Sequence, residues 1–356
     1  MRHPTDRRSL FEEALTVTEH IPKVRRIARL LPASSLWVCL VLPAWGATLD
    51  ASAINNAQYS SKRTSKDSVD PAVVKAEILL DRAQFSPGEI DGKLGANAQK
   101  ALKAFALANG LPTSDALTAD SWTKLVATSQ DPVIIEYKIT EGDVKGPFLK
   151  RLPSKLEDMK DLKSLDYSSP REGIAERFHM SEALLVLLNP GKQFDKAGDT
   201  ISVANVLNKR SATIGRIEVY KTIQAVKVFD PSGAMVAFFP ASVGSEEKPT
   251  PTGTFKVSSS DANPNYRYNP DYKFKGVKTK KPFTIGPGPN NPVGSYWIGL
   301  SAEGYGIHGT PNPSKVGKSE SHGCVRLTNW DVAWLGKNVK KGTPVAFIDE
   351  PQADRK

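Results

Sequence analysis

At Thr213 the apolar residues change their period, and that change divides the chain into two kinds of structure. Before it, apolar side chains recur every three or four positions; after it they alternate. Ile217 and Val219, then Ala225, Val226, Val228 and Phe229, then Met235 to Phe239 form runs that a pleated strand would sort to its two faces. Asp230-Pro231-Ser232-Gly233 supplies a turn between two of them, and Pro and Gly cluster at 249–253 and 286–294 between further strands that include Ser295 to Leu300. Asn329 to Val339, with Trp330, Trp334 and Leu335, has helical spacing, and Pro344 to Ile348 reads as a last strand. The stretch 213–349 is therefore predicted to be a C-terminal, all-β, sandwich-like domain with long loops, in a multi-domain α+β chain.

The helical half subdivides. Asp70 is a helix cap, Pro71 sits in the first turn, and Val73, Ala76, Leu79, Leu80 and Ala83 make one face. Turns at Ser86-Pro87-Gly88 and Asp91-Gly92 lead to a second helix with Ala98, Ala101, Leu102 and Phe105 inward and Gly110 as terminator. A third short helix carries Trp122 and Leu125, so 71–128 reads as a small three-helix N-terminal domain. Residues 131–207 form a mixed middle segment: a strand from Ile134 to Ile139, a helical run from Ile174 to Leu188 ending at Asn189-Pro190-Gly191, and a closing strand at Ile201 to Val203. His179 within it reads as a structural histidine. The polar, aperiodic stretch 54–70 reads as a linker.

Residues 1–53 read as an export signal. Arg25, Arg26 and Arg29 precede the apolar run Leu36 to Leu42, too short to span a bilayer and right for a signal core. Ala51-Ser52-Ala53 offers small-x-small cleavage, with Gly46 or Ala47 as earlier options. Val38, where a small residue is expected, argues against lipidation at Cys39. No other segment is apolar enough to cross a membrane, so membrane contact is expected only through the signal.

Removal of that leader leaves Cys324 as the sole cysteine and His179, His308 and His322 as the histidines, two of them in Gly304 to Leu327, GYGIHGTPNPSKVGKSESHGCVRL. A thiol attacks as thiolate, of which only a minor fraction exists at neutral pH, so a neighbouring imidazole is needed. His308 and His322 both qualify. His308, arriving from a separate strand or loop, is the better base because it faces the sulfur independently of the cysteine's own backbone. Gly323 lets main-chain N–H groups turn toward an oxyanion, and Arg326 suits a substrate carboxylate or developing charge.

IHGT followed by SHGCVRL, with fourteen positions from His308 to His322, resembles the L,D-transpeptidase catalytic domain, the YkuD-like family. The resemblance covers 213–349 and extends to Pro251-Thr252-Gly253-Thr254-Phe255 and a strand containing Trp297. It implies Cys324 as the acyl-accepting nucleophile, His308 as base, Gly309 as the carbonyl that orients His308, and Ser321 as the opening residue of the motif. It further implies an oxyanion hole around His322, Gly323 and Cys324, with Arg326 where many members carry Arg or Asn. The active site would lie under a loop, for which Asn265 to Pro282, with Tyr266, Tyr268 and Tyr272, is the expected segment. Residues 71–128, with IDGKLGANAQKALKAFALANGLP, resemble the peptidoglycan-binding-like three-helix domain, and 131–207 resembles in part a glycan-binding LysM module.

What these resemblances imply is an exported enzyme of the periplasm or cell wall, acting on peptidoglycan stem peptides and glycan. Cys324 would expel D-alanine from a tetrapeptide stem, form a thioester and pass the acyl group to an amine, giving a 3-3 cross-link or, with a protein lysine, a wall-anchored protein. Water as acceptor gives an L,D-carboxypeptidase, and carbapenems are expected to acylate the same cysteine. Two readings from other classes stay open: a zinc peptidase using His308, His322 and an Asp, and a non-catalytic wall-binding protein. A net charge of +10 suits polyanions in general. No regular aromatic interleaving points to nucleic acid, and Gly286-Pro287-Gly288-Pro289 lacks the helix entry and lysine of a phosphate loop, so neither nucleic acid nor any cofactor or metal is expected.

Overall fold

Asp50 accepts from the Ala53 N–H at 2.7 Å and starts a five-residue helix, α1 (Ala51–Asn55), at the point where cleavage and a linker were expected. Ile54 of this helix is fully buried in the core. Asn55 accepts from the N–H groups of Val133 and Ile134, both at 2.9 Å, and donates to the Ile134 carbonyl, while Lys75 holds the carbonyls of Asn55 and Ala57. The expected junction of leader and linker at 53–54 thus lies within a helix packed on the core. Among the described residues, the Asn55 amide satisfies a strand end, and Ala51 and Tyr59 pack beside Ile54 against the core.

This computed structural model describes residues 49–61, 68–206, 211–245, 249–272, 277–321 and 323–349. The arginines and apolar run of the leader, and His322, lie outside them. All the described residues belong to one compact unit.

After α1 come α2 (Pro71–Arg82), α3 (Ala96–Ala108) and α4 (Ala119–Val126). Asp70 caps α2 through Ala72 and Val73, and Thr118 and Ser121 form a reciprocal capping box on α4. The inward residues read from the sequence are buried except Ala83, which is half-buried, and the Phe85 and Phe105 rings meet edge to face at 5.5 Å. Then follow β1 (Ile134–Lys138), α5 (Glu141–Lys145), α6 (Leu156–Met159), α7 (Pro170–Arg177), α8 (Glu182–Leu188) and β2 (Thr200–Ala204), with β1 and β2 antiparallel. The expected helix over 174–188 is two helices. His179 takes φ +56° between them, and Ile90 of the three-helix region inserts there, its N–H on the His179 carbonyl and its carbonyl on the Ser181 N–H. A tertiary backbone contact outweighs the continuous helical pattern.

The three helices and the middle segment share a single hydrophobic core: Ile78, Leu79 and Phe105 pack in the same cluster as Ile134, Phe178, Leu185 and Val203. These regions therefore meet through an apolar seam instead of a flexible joint.

The second core belongs to an eight-stranded sheet. Its strands are β3 (Arg216–Tyr220), β4 (Ala225–Phe229), β5 (Met235–Pro240), β6 (Gly253–Ala262), β9 (Tyr296–Leu300), β10 (Gly306–His308), β11 (Val325–Arg326) and β12 (Pro344–Ile348), with β7 (Tyr266–Tyr268) and β8 (Phe283–Ile285) forming a separate pair. The order is β11-β10-β9-β6-β12-β3-β4-β5; β10/β11 and β12/β3 are parallel and the other neighbours antiparallel. The sandwich-like expectation takes a specific form here, one sheet curled until its edges meet. Beyond β5, Ser242 exchanges both backbone hydrogen bonds with Arg326, at 2.9 and 2.8 Å, and Val243 accepts from Ser321. Helix α9 (Asn329–Asn338) lies on this sheet with Val332 and Leu335 buried.

Gly286 and Gly288, in the Gly-Pro repeat, form a seam. A Cβ at Gly288 would sit 2.2 Å from the Leu165 carbonyl and one at Gly286 2.4 Å from that of Lys163, so the charged stretch near 163–165 runs against bare backbone. In the segment expected to cover the site, Tyr268 is buried against Phe283 at 4.7 Å, as core, and the Glu157 carboxylate receives the N–H groups of Lys278 and Thr279.

Candidate active site

The parallel pairing of β10 with β11 sets Ile307 opposite Val325 and His308 opposite Arg326. Ile307 and Val325 are fully buried toward the core, so alternation turns His308, Arg326 and the preceding Cys324 to the other face. Three chemically active side chains thus share one face, two on strands of three and two residues and Cys324 just before the second.

His308 is 5% exposed, and its Nδ1 lies 2.6 Å from the Gly309 carbonyl oxygen. A carbonyl only accepts, so Nδ1 carries the proton and Nε2 keeps its lone pair. The ring stacks on Trp297 of β9 at 5.7 Å and 17°. Gly306 is required beneath that indole, since a Cβ there would approach Trp297 to 2.5 Å. Burial, reinforced by the Arg326 charge, pulls the imidazole down to about 3, against a smaller opposing effect from the Gly309 hydrogen bond. It is neutral at physiological pH.

Cys324 is partly exposed and its thiol donates to the Gly304 carbonyl at 3.7 Å. Burial of the sulfur pushes the thiol up to about 11, although a Gly306 backbone hydrogen bond and the Arg326 charge both favour the thiolate. The resting pair is therefore a neutral thiol beside a neutral imidazole. Among the described residues the buried Nε of Arg326 has no hydrogen-bond partner.

The turn that carries the cysteine is built by Ser321. Its N–H donates to Val243, and its hydroxyl donates to the Cys324 carbonyl while accepting from the Gly323 N–H at 3.2 Å. Ser321 therefore shapes the nucleophile's turn. Gly323 takes φ +106°, open to glycine, and its N–H donates to the Ser321 hydroxyl. His322 lies outside the described residues. Among the described residues no three His, Cys, Asp or Glu side chains converge as a metal-binding set.

Sequence reasoning missed several supporting groups. Ser242 accepts from the Gly317 N–H and donates to the Lys315 carbonyl, and Asn97 of α3 donates to the Val316 carbonyl at 2.8 Å. The loop between base and nucleophile is thereby gripped from both the sheet and the three-helix region. Asn329 holds the backbone just after His308. These residues are ordinary polar ones, far away in sequence or read as helix start, so nothing local marks them.

The family model for the L,D-transpeptidase catalytic domain (YkuD) matches residues 214–346. A relative from Bacillus licheniformis, "Putative L,D-transpeptidase YkuD", is 30% identical over 178 residues, covering 49% of this chain and 92% of the relative. "Probable L,D-transpeptidase YbiS" of Escherichia coli K12 is 29% identical over 191 residues, 52% of this chain and 61% of that protein. A solved catalytic domain of an E. faecium L,D-transpeptidase shows 24% identity over 38% of this chain and 96% of that one, with a TM-score of 0.30.

Proposed function

Because this chain belongs to the L,D-transpeptidase family, with the activity that the family's name states, we propose that Cys324 is its nucleophile and His308 its general base, acting on peptidoglycan tetrapeptide stems. The observation that carries the assignment is the hydrogen bond from His308 Nδ1 to the Gly309 carbonyl, which leaves Nε2 basic on the face that Cys324 shares.

In the first half-reaction Nε2 takes the thiol proton as Sγ attacks the carbonyl between stem residues three and four. The C–N bond then breaks, Nε2 returns the proton to the departing D-alanine nitrogen, and a thioester remains. An acceptor amine gives its proton to Nε2, attacks the thioester carbon and expels the sulfur, which regains the proton. The acceptor is the side-chain amine of a second stem, giving a 3-3 cross-link. Starting from neutral groups is an advantage in a desolvated site, because the ion pair forms only as the transition state approaches. Arg326, on the face shared with His308 and Cys324, is assigned to the stem's terminal carboxylate, and the backbone N–H groups around Cys324 to the oxyanion.

Residues 71–128 and 131–207 are assigned to wall binding, as peptidoglycan-binding-like and LysM-like modules. The antiparallel β1/β2 pair, with α7 and α8 among the four helices between its strands, supports the second. The enzyme is exported to the periplasm or cell wall by its leader. No described helix is long and apolar enough to cross a membrane.

The test is intact-protein mass spectrometry of the full chain and Cys324→Ala with a tetrapeptide-stem disaccharide. The expected result is a thioester adduct on the unchanged protein alone, with D-alanine released and a cross-linked dimer formed. Release without dimer would reassign it as a carboxypeptidase. Neither adduct nor release, with sacculus binding intact in both forms, would leave a wall-binding protein.

A further inference from the structure

The Gly309–Thr310 peptide unit has two ends, and both are held. Its carbonyl accepts from His308 Nδ1 at 2.6 Å, and its N–H donates to Asn329 Oδ1 at 3.1 Å. A peptide unit is planar, so an anchor on the N–H fixes the direction of the C=O across the same bond. Asn329 therefore controls the plane of the group that sets the tautomer and tilt of the imidazole.

The surroundings are built to that amide. Asn329 is 5% exposed, and its Oδ1 also accepts from the Ser295 N–H at 3.0 Å. A Cβ on Gly309 would fall 2.2 Å from Oδ1 and one on Gly294 2.1 Å, so two glycines make room for one oxygen. Capping does not explain the residue. The cap of α9 is Thr328, whose hydroxyl accepts from the Asp331 N–H.

The other half of the amide faces the middle segment. Nδ2 donates to the Glu176 carboxyl of α7, at 3.0 Å to Oε2 and 3.3 Å to Oε1, and to the Pro289 carbonyl at 3.1 Å. These acceptors decide which way the amide points, since a flipped amide would set nitrogen against the N–H groups of Ser295 and Thr310. Burial pushes the Glu176 carboxyl up to about 8, so near neutral pH it is mostly an uncharged acid that still accepts. Glutamine mimics that form closely.

We propose that Asn329 is a positioning residue for His308, and that Glu176, supplied by the region outside the catalytic sheet, holds Asn329 in the orientation this requires. The base of the reaction is then set by a relay from α7 through α9 to the loop after β10. The proposal rests on His308 being the base.

The test compares the full chain with His308→Gln, Asn329→Ala, Glu176→Ala and Glu176→Gln, measuring kcat and KM for cross-linking and the downfield Nδ1 proton of His308 by NMR of 15N-histidine-labelled protein. Misplacement of a catalytic group by about 1 Å costs on the order of 100-fold. Asn329→Ala is expected to lose kcat on that scale with KM nearly unchanged, and to lose the Nδ1 signal while the fold melts cooperatively. Glu176→Ala should reproduce part of the loss and Glu176→Gln should restore it, a contrast that stands even if Asn329→Ala fails to fold. A folded Asn329→Ala that keeps kcat and the Nδ1 signal overturns the proposal, as does an equal kcat for the two Glu176 variants. Full activity in His308→Gln would instead overturn the base assignment beneath it.

Discussion

Alkylation of Cys324 by iodoacetamide in the substrate-free protein is expected to be slow at neutral pH and to climb steeply into the alkaline range. Burial moves the thiol from 9.0 to about 11. Two units correspond to about 2.7 kcal/mol and lower the thiolate fraction at pH 7.5 about 100-fold, from about 3% to about 0.03%. A more basic thiolate is also a better nucleophile, and a Brønsted slope of about 0.4–0.5 restores roughly six- to tenfold. The net expectation is alkylation about tenfold slower at pH 7.5 than in the urea-unfolded chain. The shapes differ more than the rates: the unfolded cysteine levels off above pH 9, while the native one keeps rising about tenfold per unit, and the curves cross near pH 10. His308 is neutral throughout this range, so His308→Ala should leave the slope unchanged while abolishing acylation by substrate. The assay is adduct mass against time in a pH series from 6 to 11. A native rate that is flat between pH 6 and 8 would mean a resting thiolate–imidazolium pair and would refute the reasoning from burial.

Ile54→Ala should cost about 2–5 kcal/mol in urea unfolding, the range for emptying a fully buried aliphatic site, whereas a mere leader or linker residue would cost nothing. The imidazole of His308 titrates lower in the folded chain (about 3) than unfolded (6.5), so folding stability is lost as pH falls below 6.5. Between pH 6.5 and 4.5 this amounts to about 2.3 kcal/mol, measured as the extra loss of the parent over His308→Gln. Glu176 has the opposite sign: its acid titrates higher when folded (about 8) than its ordinary 4.5, so its contribution falls as pH rises from 4.5 toward 8, by about 1.4 kcal/mol per unit. Glu176→Gln should remove that slope, and an unchanged slope would show that the carboxyl is ionised in the fold.

How much of this the sequence disclosed depended on how far each determinant reaches along the chain. Alternation in 216–240 is a local property, and the strands there begin and end close to where the pattern does. Cys324, Ser321 and Gly323 lie within four residues, so the turn they build is legible as a motif. His308 is tied to Gly309, its neighbour. The break at His179 depends on Ile90, the closure of the sheet joins Ser242 to Arg326, and the glycines at 286 and 288 answer to Lys163 and Leu165. None of these partners is within reach of a periodicity argument. The amides of Asn55, Asn97 and Asn329 escaped for a related reason: a buried asparagine that satisfies distant backbone resembles, in sequence, an exposed one in a turn.

The closure of the sheet has one more consequence, for how a peptide can be gripped. Both backbone groups of Arg326 on the outer side of β11 are occupied by Ser242, so the nucleophile's strand offers no free edge for an incoming chain. Recognition by β-augmentation, common among proteins that bind extended L-peptides, is closed off at this position. Specificity must then come from side chains and pocket shape around the thiol. That arrangement suits a ligand with D-configured centres, whose alternating handedness would not keep register with a strand built from L-residues.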